Sequence, residues 1–279
     1  MHKTLESVAV DDLFIDMAEY EEQGFTIVRG LFSPEEVDLF REHFMQLAAE
    51  GRGFFEREQK AAAETDPLKK FPRMVHMHRW DGLSLEFLLD QRSKHCLTTL
   101  LGAEPYAVQT MFYFKPPGAR GQALHQDQAP LKVQPGTCIA AWMSLDDCDE
   151  ANGCLQLVPG TQDLPLLCSV AADTAQSFTN STVPLSEEMQ PIPAIMEPGD
   201  VLFFNGQVIH GSSPNTTEDR FRRSLIGHYI VAEAEKVSAF YHPVLRFDGS
   251  EAEMGVNPGG EPCGIWVNRD GRAVLEMTN

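Results

Sequence analysis

From about residue 105 onward, proline and glycine cut the chain into short β-rich runs. "YAVQTMFYF" stops at "KPPG", "TCIAAWMSL" at "DDCDEANG", "CLQLV" at "PGT", "PAIM" at "EPGD" and "VLFFN" at "GQ", and "RRSLIGHYIV" closes the series. Proline cannot donate to a strand ladder and glycine weakens a strand interior, so each cluster terminates a strand. Many short strands at fairly regular spacing, with no helical pattern between them, predict a mainly β protein with a sandwich or jelly-roll core. With 279 residues, 43% of them hydrophobic, the chain is long enough to bury such a core as one domain.

The first hundred residues read as flanking helices. In "SPEEVDLFREHFMQLAAEG" Ser33 is the N-cap, Pro34 the first helical residue, Glu36 completes a capping box and Gly51 ends the helix. "SLEFLLDQRSKHCLTTLLG" repeats the plan as one helix, with Ser84 as cap, a stripe of Leu85, Leu88, Leu89, Cys96, Leu97 and Leu100, and Gly102 as stop. The expected organisation over residues 1–279 is helical support to about 104, a jelly-roll core over about 105–235 and an extension over about 236–279. That extension, from Asp248 on, reads as loop or tail. Segments 51–80 and 161–192 are long, polar and irregular, as lids and binding loops are.

A net charge of −19 argues against nucleic acid and anionic membrane surfaces as partners, because both need clustered Lys and Arg. No stretch approaches the roughly 18 apolar residues of a membrane span, and the N-terminus has no signal-like apolar region. The expectation is a soluble, unsecreted, cytoplasmic protein. Six cysteines without a CxxC pair read as free or buried thiols in a reducing compartment. The oligomeric state is left open.

Chemistry concentrates in two places. In "GQALHQDQAPLKV" His125 and Asp127 are two residues apart, which puts both on one face of an extended strand. The pair suits a divalent iron-like metal, or is an ordinary hydrogen-bonded His–Asp couple. In "VLFFNGQVIHGSSPN" His210 ends an apolar strand where a jelly roll can return it beside the first pair. Two histidines and one carboxylate would cover one face of an octahedral Fe(II) and leave three positions open. Twelve residues later come Arg222 and Arg223, and strand alternation lets only one of them face inward. His76 and His78 alternate on an expected loop and read as exposed or entrance-lining side chains, not as metal ligands.

The segments "QTMFYFKPPGARGQALHQD", "AAWMSLDDCDEANGCLQLVPGTQ", "EPGDVLFFNGQVIHGSSPN" and "FRRSLIGHY", with the early "EEQGFTIVRGLFSPEEV", resemble the phytanoyl-CoA dioxygenase family of Fe(II)- and 2-oxoglutarate-dependent oxygenases over roughly residues 20 to 235. The resemblance implies a double-stranded β-helix (jelly-roll) core, with Fe(II) held by His125, Asp127 and His210. It further implies that Arg222, with Arg223 as the fallback, grips the distal carboxylate of 2-oxoglutarate, and that Ser212 supports the same carboxylate. Gln109 matches a strand glutamine contacting the cosubstrate, Trp142 an aromatic wall beside it, and Arg73, by a looser alignment, a basic position reaching cosubstrate or substrate. The implied reaction couples oxidation of an unactivated C–H bond in a small molecule to conversion of 2-oxoglutarate and O₂ into succinate and CO₂. Halogenases of this type lack the carboxylate that Asp127 supplies, which favours hydroxylation, desaturation or ring closure.

The acidic charge favours a small natural-product-like or amino-acid-like substrate over an acyl-CoA, against a local cluster of Lys69, Lys70, Arg73 and Arg79. Met74, Met77, Trp80 and the loop 161–192 are candidate pocket wall. The rival classes are a cupin-type metal isomerase without cosubstrate and a non-catalytic jelly-roll binding protein.

Overall fold

Alternation along the strands separates two interiors. The computed structural model describes residues 13–56, 60 and 65–278. In chain order its strands are β1 (Phe25–Val28), β2 (Met74–Val75), β3 (Tyr106–Tyr113), β4 (Gln122–His125), β5 (Cys138–Ser144), β6 (Leu155–Leu157), β7 (Val170–Ala171), β8 (Ser181–Thr182), β9 (Ile192–Pro193), β10 (Val201–Asn205), β11 (His210–Ser212), β12 (Ser224–Ile230), β13 (Lys236–Val237), β14 (Val244–Leu245), β15 (Glu251–Ala252), β16 (Gly255–Val256), β17 (Gly264–Arg269) and β18 (Arg272–Met277). A large sheet runs β1-β10-β5-β12-β3-β14-β15 with β2 also on β3, and a second sheet runs β4-β11-β6-β9. Non-consecutive neighbours in both sheets are the jelly-roll pattern expected from the sequence.

On β5, Ile139, Ala141 and Met143 pack toward the helices, while Ala140 and Trp142 face the space between the sheets. On β10, Val201 and Phe203 take the helix side and Leu202 and Phe204 the inner side. The inner side is closed by Leu155 and Leu157 of β6, so apolar contacts bind the sheets together around that space. The helix side is rich in aromatic residues: Phe44 stacks on Phe112 with ring centroids 4.3 Å apart, and Phe40 packs edge-on against Phe32 and Phe87. Truncating one such buried ring costs about 3–5 kcal/mol.

The helix Pro34–Ala49 has the expected cap: Ser33 Oγ accepts from Glu36 N, and the Glu36 carboxylate accepts from Ser33 N at 2.8 Å. The second helix is corrected by the structure. It is two helices, Gly82–Leu88 capped by Asp81 and Gln91–Leu101 capped by Asp90, and Ser84 lies inside the first turn. Asp90 accepts from the backbone N–H of Arg92 and Ser93, which ends one helix and starts the next. Arg92, buried, then joins Asp90 to Glu36 through paired hydrogen bonds of 2.8–3.1 Å and ties the two helical regions together.

Two further expectations are overturned. Residues from Asp248 on are not a tail. They form β15, β16 and a hairpin of β17 and β18 turned at Asp270–Gly271, both at positive φ. Nor are all six cysteines thiols: Cys168 and Cys263 form a disulfide that ties this hairpin to the loop after β6, and the other four are buried and free. Leu167 and Val183 of that loop share an apolar cluster with Trp266 and Leu275 of the hairpin. Among the described residues no helix is long and apolar enough to cross a membrane.

Candidate metal centre

β4 and β11 are antiparallel neighbours with His125 directly opposite His210, so the ladder register brings together residues far apart in sequence. His210 opens β11 after a turn instead of ending β10. Asp127 is not on a strand with His125; it lies in helical conformation as the residue before a short helix, Gln128–Leu131. The three side chains nevertheless converge: one ligand atom from each lies within 4.8 Å of the others. Asp127 Oδ1 is 3.5 Å from His125 Nε2, and Oδ2 is 3.6 Å from His210 Nε2.

Both rings are oriented by the backbone two residues before them. His125 Nδ1 donates to Ala123 O at 2.9 Å and His210 Nδ1 to Val208 O at 3.0 Å. A carbonyl only accepts, so each Nδ1 carries a proton and each Nε2 is turned toward Asp127, that of His125 also lying 3.0 Å from Gln122 Nε2. Burial, with His125 beside it, pulls the His210 pKa down to about 4 and keeps it neutral. Burial by itself would raise the Asp127 carboxyl, but His210, His228 and the hydrogen bonds around it hold it well below the usual carboxylate range. Two imidazoles held by their Nδ1 protons and one ionised carboxylate on one side of a cavity fit a ferrous ion.

That cavity, about 760 Å³, lies between the two sheets. Gln109, Trp142, Ser212, Arg222 and Arg73 all line it together with the three metal-site residues. Arg222 is buried, its guanidinium carbon 5.2 Å from the Trp142 ring, and it donates to Gly153 O at 3.2 Å and Ser224 Oγ at 3.0 Å. Burial lowers its pKa, yet a guanidinium keeps its charge at neutral pH, and both of these partners are neutral. Arg223 points away and forms a bidentate pair with Asp146 at 2.7 and 2.8 Å. Ser212 Oγ accepts from Gln122 N, and Gln109 is 3% exposed on β3. Arg73 lies among the rings of Phe55, Tyr113 and Phe178 and donates to the Tyr113 hydroxyl at 2.8 Å.

Several expectations about the cavity wall are corrected. Met74 and Met77 are fully buried in the helix-side core and Trp80 is 42% exposed; none of the three lines the cavity. His76 and His78 are not exposed but buried, His76 against Phe240 and His78 against Thr110. Of the four basic residues 69, 70, 73 and 79, Arg73 alone lines the cavity, and Arg79 instead donates to Phe240 O. The loop after β6 contributes Phe178 to Ser181. Sequence reasoning missed His228, Gln122 and the pair Phe240–Tyr241. The first was legible in principle, since residues 226 and 228 share a strand face, whereas the aromatic pair follows the last core strand with no pattern to mark it.

The phytanoyl-CoA dioxygenase (PhyH) family model matches residues 20–224. The chain belongs to the phytanoyl-CoA dioxygenase family. It is a non-haem iron enzyme, an oxygenase dependent on 2-oxoglutarate. It is 27% identical over 199 residues to phytanoyl-CoA dioxygenase 1 of Oryza sativa subsp. japonica, an alignment covering 69% of this chain and 70% of that protein. In fold it is similar to the non-haem α-ketoglutarate-dependent carbocyclase SnoK from nogalamycin biosynthesis, with a TM-score of 0.66 at 22% identity over 82% of this chain and 88% of that one. It is similar also to the epimerase SnoN, solved with Fe3+, α-ketoglutarate and nogalamycin RO, with a TM-score of 0.65 at 19% identity over 81% and 85% of the two chains.

Proposed function

We propose that this oxygenase hydroxylates, or otherwise oxidises, a C–H bond of a small organic molecule with an apolar face, working as one domain whose helices brace the jelly roll. His125, Asp127 and His210 hold Fe(II), Arg222 and Ser212 take the distal carboxylate of 2-oxoglutarate, Gln109 and Trp142 flank it, and Arg73 faces the substrate side. One observation carries this reading: a buried guanidinium with neutral partners shares a cavity with the converging histidines and carboxylate. An uncompensated buried cation favours an incoming anion, and a dicarboxylate can satisfy Arg222 at one end and the metal at the other.

Bound there, ferrous iron and 2-oxoglutarate supply the oxidising power drawn from O₂, with succinate and CO₂ as by-products. The residues of this chain do the rest. Ala123 and Val208 carbonyls hold the two imidazoles with Nε2 turned toward Asp127, so only the Gln122 amide has to be displaced from His125 Nε2 by an incoming metal. Leu155, Phe204 and Ile226 dry the inner wall, which strengthens every charge contact inside. Phe178, Phe240 and Tyr241 offer the apolar surface against which a substrate packs. The volume suits the cosubstrate plus a small molecule, and the named activities of the similar structures, carbocyclase and epimerase, support oxidative outcomes beyond hydroxylation. The test is succinate formation: iron-loaded protein given 2-oxoglutarate and air is screened against small apolar acids, amino-acid derivatives, polyketide-like rings and acyl-CoA thioesters. Stimulation by a small molecule and none in His210→Ala is expected; stimulation by acyl-CoA alone refutes the substrate class.

A further inference from the structure

We infer that His228 is the positioning residue that fixes the carboxylate of Asp127, an inference that rests on the metal assignment above. The two histidines of the centre are each anchored by Nδ1 to the carbonyl two residues back along the chain. Asp127 has no such support: it precedes the helix Gln128–Leu131, but its side chain makes no cap hydrogen bond to that helix. Its shortest side-chain contact comes from 101 residues away, where His228 Nε2 lies 3.1 Å from Oδ2. That distance is an ordinary N–H···O bond, whereas the 3.5 and 3.6 Å separations to His125 and His210 suit atoms sharing one ion better than atoms bonded to each other.

β12 puts His228 there by register. It pairs with Gln109 on β3 and Ala140 on β5, and the same face of the strand carries Ile226 into the cavity, with Arg222 entering just ahead of the strand. His228 is 4% exposed, and its Nδ1 is buried without a hydrogen-bond partner. An ionised carboxylate can only accept, so Nε2 carries a proton directed at Oδ2, and no partner competes for the ring at Nδ1. His228 is therefore not a fourth ligand. It holds one carboxylate oxygen and leaves the other presented toward the two imidazoles. Without it, Asp127 turns freely about its last torsion, and both metal affinity and the open coordination positions suffer.

The experiment measures Mn(II) binding to metal-free wild-type, His228→Leu and His228→Gln proteins by calorimetry, with melting temperatures of the metal-free forms. Leucine is expected to weaken binding by about 10- to 100-fold, and glutamine, which restores an N–H donor, to recover most of it. A role confined to packing predicts shifted melting temperatures and unchanged affinity, and that result overturns the inference. So does equal loss in both variants. ¹⁵N-histidine NMR of the wild-type metal-free protein reads the ring protons without any substitution: a proton on Nε2 of His228 is expected, and an Nε2 without one refutes the geometry even if the leucine variant fails to fold. Wild-type protein that binds no Mn(II) overturns the metal assignment and this inference with it; binding equal in wild type and leucine variant overturns this inference alone.

Discussion

Replacing Arg222 by methionine separates cosubstrate binding from stability, with effects of opposite sign. The side chain gives up two hydrogen bonds from its charged guanidinium to neutral acceptors, Gly153 O and Ser224 Oγ, worth about 1.5–3 kcal/mol each. It also removes a desolvated cation, whose burial costs several kcal/mol. A second buried amine, Lys115, donates to the same Gly153 carbonyl at 2.7 Å, and burial first and then Arg222 hold its pKa well below the usual lysine range, so removing Arg222 relieves that strain on Lys115 too. Metal-free Arg222→Met is therefore expected to match or exceed the wild type by about 1–2 kcal/mol, or roughly 2–8 °C at 2–4 °C per kcal/mol for a domain of this size. Affinity for 2-oxoglutarate moves the other way. Removing one partner of a buried, hydrogen-bonded charge pair costs about 2–5 kcal/mol, roughly a 30- to 5,000-fold rise in Kd. Arg223→Met is the control: it breaks the bidentate pair with Asp146, so it destabilises the fold and leaves the 2-oxoglutarate Kd within about threefold. The assays are calorimetric titration of 2-oxoglutarate into Mn(II)-loaded protein and thermal melts of the metal-free forms. A wild-type Kd in Arg222→Met, or loss of affinity in Arg223→Met instead, refutes the reasoning.

Arg92→Met strands Glu36 and Asp90 as two buried carboxylates and is expected to cost about 3–5 kcal/mol in urea unfolding; a change below 1 kcal/mol contradicts the network. Reducing the Cys168–Cys263 disulfide releases a loop of sequence separation 95 and lowers stability by about 3–5 kcal/mol, read as a drop in melting temperature with a phosphine reductant that Cys168→Ser does not show. Burial, with Arg79 nearby, pulls the His78 pKa down from 6.5 to about 4, so the unfolded chain protonates first and stability falls as pH drops through that window. The wild-type minus His78→Gln difference in unfolding free energy is expected to shrink by about 2–3 kcal/mol between pH 7 and pH 4, and a pH-independent difference contradicts the burial argument.

What the sequence made legible was local. The Ser33–Glu36 capping box and the strand-ending Pro and Gly clusters act within a few residues, so pattern and structure agree. The break at Asp90 was hidden because the leucine stripe runs on through both helices, and an aspartate inside such a stripe looks like a solvated position until its carboxylate is seen capping Arg92 and Ser93. The Asp270–Gly271 turn signal was present, but its flanks, "GIWVNR" and "RAVLEM", alternate too weakly to announce a hairpin. The pairing of Cys168 with Cys263 depends on a tertiary meeting of loop and hairpin that no spacing encodes. At the site, His125, Asp127 and His210 stood out by residue type and spacing, whereas His228 looked like any strand residue because its partner is 101 positions away.

The most direct test of the central claim is an anaerobic titration of the metal-free chain with Fe(II) in the presence of 2-oxoglutarate, followed in the visible region for the charge-transfer band of a keto acid bound to ferrous iron. One equivalent of iron per chain is predicted to raise the band, and alanine at His125, Asp127 or His210 to abolish it. Wild-type protein that raises no band, or an alanine variant that keeps it, contradicts the account.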